Sequence, residues 1–126
     1  VERTIKIISG TVEVTGTLSD CPTATAIWNV LPIKSTADTW GDEIYFTIPV
    51  QVELDDTARE VVEKGDLGFW PSGPAFCIFF GPTPASRGAE IRPASAVNVF
   101  GRIAGDVAVL RKIRSGSAIL VERASG

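Results

Sequence analysis

The sequence predicts a mainly β fold, an antiparallel barrel closed on itself with two short helices covering its ends. Three observations carry this prediction. About eight short segments either alternate apolar and polar residues or run apolar between turn residues. Only two segments have a helical period, and most gaps between segments have hairpin length. Closure would also remove the exposed edges that an open sheet must protect. No linker, repeat or low-complexity stretch divides residues 1–126, so one domain is expected.

Taken in order, Arg3 to Ile8 alternates, with Ile5 and Ile7 on one face; Ser9-Gly10 is a turn, and Thr11 to Leu18 alternates again with Val12 and Val14 inward. The pair reads as a hairpin. Ser19 or Asp20 can then cap a helix whose first turn accommodates Pro22. Ala24, Ile27, Trp28 and Leu31 make one apolar stripe, ended by Pro32. The stripe suits packing on the protein's own sheet; a partner or membrane face is the alternative. Ile33 to Asp38 returns extended, and Trp40 to Phe46 turns into a strand that reaches Pro49 and continues through Val50 and Val52. Asp55 to Glu60 is at most one helical turn, with Thr57 and Glu60 spaced as a capping box and Asp55-Asp56 read as caps rather than as a metal or acid–base pair. Leu67 to Trp70 and Ala75 to Phe80 are strands, Gly81 to Pro93 is a long surface loop, and Ala96 to Ile103 is the next strand. Asp106 to Ile113 predicts a second short helix stopped by Gly116, and Ala118 to Val121 a closing strand.

Composition excludes several functions. Hydrophobic residues at 44% and charged ones at 21% describe a globular chain, and a net charge of −3 argues against a nucleic-acid partner. The one basic cluster, Arg111, Lys112 and Arg114, fits the last turn of a helix. There is no histidine, which removes Ser-His-Asp and Cys-His catalysis. Cys21 and Cys77 read as free thiols and are too few for a zinc site, so neither metal nor cofactor is expected. The opening VERTIKIISG lacks the apolar core of a signal peptide, and no run approaches the ~20 apolar residues of a membrane span. A cytoplasmic protein without a membrane partner is the expectation.

The order of hairpin, helix after Asp20-Cys21-Pro22, aromatic strand, Phe76-Cys77-Ile78-Phe79-Phe80, Thr83-Pro84, and Asn98 to Ile103 followed by a helix and a closing strand resembles a cyclophilin. Four blocks, TWGDEIYF (39–46), EKGDLGFWPSG (63–73), FCIFFGPTP (76–84) and PASAVNVFGRI (93–103), are similar to small bacterial and archaeal cyclophilin-like proteins of unassigned function. The resemblance implies a closed eight-stranded barrel capped by helices. It also implies where a prolyl isomerase would keep its machinery: an arginine on the strand from Trp40 to Phe46, a histidine, and a loop tryptophan near Ala85 or Ser86. None of these is present; Phe79 or Phe80 matches a pocket phenylalanine, and Arg59 or Arg102 are the substitutes at hand for the arginine.

The candidate site is drawn from polar groups set among the aromatic blocks. Glu43 and Tyr45 share a strand parity, which permits a carboxylate–phenol pair able to hold a polar ligand or to exchange protons. Trp40, Phe80, Thr83, Pro84, Ser86 and Asn98 are the candidate ligand contacts, with Thr83 to Ser86 forming a rim. The function expected is a cleft that binds a peptide or small polar ligand; the alternative is a prolyl isomerase or another acid–base enzyme using Glu43 and Tyr45. A homodimer built on the aromatic strand is a third reading.

Overall fold

A computed structural model describes residues 3–124. Its ten strands form one antiparallel sheet: β1 (Arg3–Ser9), β2 (Val12–Leu18), β3 (Ile33–Thr36), β4 (Asp38–Thr39), β5 (Glu43–Thr47), β6 (Ala58–Arg59), β7 (Asp66–Trp70), β8 (Ala75–Phe79), β9 (Val97–Ala104) and β10 (Ala118–Arg123). The order is β3-β10-β1-β2-β9-β7-β8-β5-β4, with β6 alongside β9. The hairpin of β1 and β2 follows the alternation of the sequence, and Ile5, Ile7, Val12 and Val14 are all buried.

The expectation of a closed eight-stranded barrel with two helices is corrected on both counts. The hydrogen-bonded ladder is open, and its two end strands, β3 and β4, are consecutive pieces of the same chain separated by Ala37. Ala37 donates its N–H to the Ser117 carbonyl and accepts from the Gly116 N–H. Before that residue the chain pairs with β10, and after it with β5. The sheet therefore meets itself through the covalent chain, helped by the Ser35 hydroxyl on the Thr47 carbonyl, rather than through a ladder.

Among the described residues one α-helix forms, α1 (Pro22–Val30), with Pro22 in its first turn where no N–H is missed. Its N-cap is Cys21, and no side chain caps it, so Ser19 and Asp20 do not take that role. Ala24 and Ile27 are completely buried, while Trp28 lies half-exposed beneath the Arg123 guanidinium. The second expected helix is a 3-10 turn over Ala108–Lys112. Asp106 ties down the Ala108 N–H, β-branched Val107 and Val109 weaken α-helix propensity, and the bonds that close it run from Leu110 to Val107 and from Ile113 to Leu110. Asp55 to Arg59 likewise makes no capping box: Asp55 accepts from both the N–H and the hydroxyl of Thr57, and the chain passes directly into β6.

Over β5, β7, β8 and β9 the sheet is buried on two faces. Inside, Phe46, Phe69, Phe76 and Phe100 pack with Ile44, Ile78 and Leu67; Phe46 and Phe76 stack at 4.8 Å, and Phe100 meets Phe76 edge-on at 5.0 Å. On the opposite face Cys77, Phe79 and Val97 form a smaller cluster with Val62 and Ile91, contributed by the segments that cross over it. Gly68 makes this second layer feasible, because a Cβ there would lie 2.6 Å from Val97 Cγ2. Among the described residues, no helix is long and apolar enough to cross a membrane.

Candidate functional site

The second face carries a cavity of about 290 Å³. Strand parity builds it: on β5 the residues Ile44 and Phe46 point to the main core, so Glu43 and Tyr45 point to the other side. The register of β5 on β8 sets Tyr45 beside Cys77 and Glu43 beside Phe79. Trp40, from the turn between β4 and β5, and Trp70, at the end of β7, supply aromatic walls; Pro93 and Ala94 of the long loop and Val97 of β9 complete the lining.

The long loop is held over this face by its first half. Gly41 has φ +61 and lies so close to the loop that a Cβ would be 2.9 Å from both Thr83 Cα and Pro84 Cδ. Thr83 is buried; its hydroxyl donates to the Arg92 carbonyl and its N–H donates to Ser86 Oγ. Ser86 Oγ also accepts from the Arg92 N–H, so the loop folds back on itself and presents Pro93 and Ala94 to the cavity.

Glu43 is the unusual group. It is 6% exposed, and Oε1 has no hydrogen-bond partner, the single such buried side-chain oxygen or nitrogen among the described residues. Burial pushes its pKa up to about 7, with the neighbouring Cys77 thiol offsetting part of the rise. The thiol itself donates to the Ala75 carbonyl at 3.9 Å. Burial, and then the Glu43 charge, hold the Cys77 pKa well above its usual range. Trp70 spends its indole N–H on Ser95 Oγ at 2.6 Å.

Of the residues singled out from the sequence, the fold brings together Trp40, Glu43 and Tyr45 around one cavity. Phe80 sits elsewhere, in the main core under the Arg111 guanidinium at 5.5 Å. Thr83, Pro84 and Ser86 organise the loop without lining the cavity. Asn98 is fully buried at another place: its Nδ2 donates to Thr23 Oγ1 and the Glu53 carbonyl, and its Oδ1 accepts from the Asp55 N–H, tying α1 and the 53–55 segment to β9. Trp70, Cys77, Pro93, Ala94 and Val97 were not singled out as contacts. Parity on β8 could have placed Cys77 on the Tyr45 side; the loop residues carry no such signal.

A larger depression, about 570 Å³, lies around Asp20, Asp56, Arg59, Glu63 and Asp66. Its charges are exposed or satisfied: Arg59 donates to the Asp56 and Ala58 carbonyls, and Asp66 accepts from the Glu63 N–H with Arg102 3.8 Å away. Asp66 is itself raised, chiefly by burial. Nothing there is left unpartnered as Glu43 is.

Three comparisons bear on this arrangement. A family model described as cyclophilin-like matches residues 3–122. The solution structure of the hypothetical protein AF2241 from Archaeoglobus fulgidus is 47% identical, with 98% of this chain and 96% of that one covered at a TM-score of 0.84. McbB in complex with tryptophan shares the fold at 18% identity and a TM-score of 0.74, covering 97% of this chain and 45% of that one. No curated protein matches.

Proposed function

The chain belongs to the cyclophilin-like family, and from that premise we propose that it is a binding protein whose ligand is a small amphipathic molecule held in the Trp40–Glu43–Trp70 cavity. The observation that carries the reading is Glu43 Oε1, an acceptor buried without a partner in an otherwise apolar, aromatic-walled cavity. A buried polar atom left unsatisfied costs roughly 1–3 kcal/mol, which a ligand's hydrogen bond would recover. At about 290 Å³ the cavity is close to the lower end of the roughly 300–1,000 Å³ usual for small-molecule sites. None of its lining residues is an arginine, so a cyclophilin-type donor to a twisting X-Pro bond has no source there, and binding is favoured over prolyl isomerisation.

Ala94 is exposed at the lining, so Ala94→Trp fills the mouth without disturbing the core. Titration of small aromatic probes followed by tryptophan fluorescence should saturate for the wild type and fail for this variant at unchanged thermal stability. Equal responses from both would place binding elsewhere.

A second reading, acid–base catalysis by Glu43 with Tyr45 beside it, is favoured by one observation. A carboxyl group with a pKa of about 7 both accepts and donates protons near neutrality.

A further inference from the structure

We propose that the cavity selects a ligand carrying an ammonium group on an apolar body, with the ammonium paired to Glu43; this rests on the binding reading given above. Trp40 and Tyr45 bring neutral donors to the lining, but among the described residues no cation lines it, and the one buried group left without a partner is an acceptor. That acceptor is a carboxyl oxygen. The Trp70 indole N–H, a donor it could have offered, is committed to Ser95. No Lys or Arg lines it, so an anionic ligand would meet no counter-charge and would face the Glu43 carboxylate instead. The walls add to the same preference, because Trp40, Tyr45 and Trp70 are among them, and an aromatic face carries a negative quadrupole that attracts a cation, more strongly out of water.

Charge pairing here moves a proton. In the free protein Glu43 is shared between its acid and carboxylate forms near neutrality. The ammonium requires the carboxylate, so binding expels the carboxyl proton to solvent while the ligand keeps its own. The titratable groups facing Glu43 are the Cys77 thiol from β8 and the Tyr45 phenol from its own strand. The loop offers Pro93 and Ala94 and β9 offers Val97, which do not titrate. Cys77 is raised by burial and stays a neutral thiol, leaving Glu43 as the group that sets the pH dependence.

Three probes of matched shape test this: 2-phenylethylamine, 2-phenylethanol and phenylacetate, titrated calorimetrically between pH 5.5 and 8.5 in buffers of different ionisation enthalpy. The amine should bind about tenfold or more tighter than the alcohol at pH 8.5, as expected for a charge-assisted bond. Its affinity should fall about tenfold per pH unit below the Glu43 midpoint, with proton release near neutrality. In Glu43→Gln the amine and the alcohol should bind alike; should that variant not fold, the wild-type pH profile and proton release decide. If the alcohol or the acid binds the wild type as tightly as the amine, the ammonium inference is overturned and the cavity-binding reading stands. If none of the three binds, the cavity-binding reading fails, and this inference with it.

Discussion

Replacing Glu43 by glutamine should make the protein more stable at neutral and alkaline pH and leave it nearly unchanged at pH 4. The carboxyl's pKa is about 7 in the folded protein against 4.5 as its reference value. Between these values the folded state holds a proton that the unfolded chain has released, so stability falls as pH rises through this window. A difference of roughly 2.5 pKa units corresponds to about 3 kcal/mol, lost in full once pH exceeds the folded pKa. Below pH 4.5 both states are protonated and the penalty vanishes. Glutamine keeps the shape and cannot ionise. The stability difference between variant and wild type should therefore grow from near zero at pH 4 to about 3 kcal/mol at pH 8. Urea unfolding at pH 4, 5, 6, 7 and 8, with the wild-type curve subtracted, isolates this carboxyl from Asp66, whose shift has the same direction. A difference that does not vary with pH would refute the reasoning, because it would mean that Glu43 ionises in the fold as it does in water.

Two further outcomes test the surroundings of the site. Asn98→Ala leaves the Asp55 N–H and the Glu53 carbonyl without their partner, and should cost about 2–4 kcal/mol in denaturant unfolding while leaving probe affinity at the cavity unchanged. Gly41→Ala forces a side chain into φ +61 and against Thr83 and Pro84; a loss of about 1–3 kcal/mol is expected, together with faster amide exchange across residues 82–94 as the loop lifts.

Local pattern made much of the fold legible. Ile5, Ile7, Val12 and Val14 announce the first hairpin, and Pro22 with Pro32 brackets α1 to within two residues of its observed end. The open ladder was not legible, because whether β3 and β4 join depends on how Ala37 is bonded to Ser117 and Gly116, some 80 residues away. The 3-10 turn was missed for a different reason: Leu110 and Ile113 are buried as a helical period would have them, and period alone does not separate five residues of 3-10 from α.

The site was half legible. Parity on one strand was enough to put Glu43 and Tyr45 on a common side, and Trp40 lies in the turn that leads into that strand. Whether that side would be solvent or a second buried layer depended on where residues 81–96 cross it, which is a matter of tertiary packing set by Gly41, Thr83 and Ser86. Asn98 shows the limit of such reading. A polar residue mid-strand among valines signals a buried hydrogen-bonding duty, but not whether its partner is a ligand or the protein's own backbone.

The central claim, that the cavity around Glu43 is a ligand site, is tested most directly by the indole N–H resonances of the three tryptophans during titration with 2-phenylethylamine. Trp40 and Trp70 line the cavity and Trp28 lies away from it under Arg123, so the Trp40 and Trp70 signals should shift saturably while the Trp28 signal stays in place. Shifts confined to Trp28, or no shift in any of them across the same panel of amine, alcohol and acid, would contradict the account.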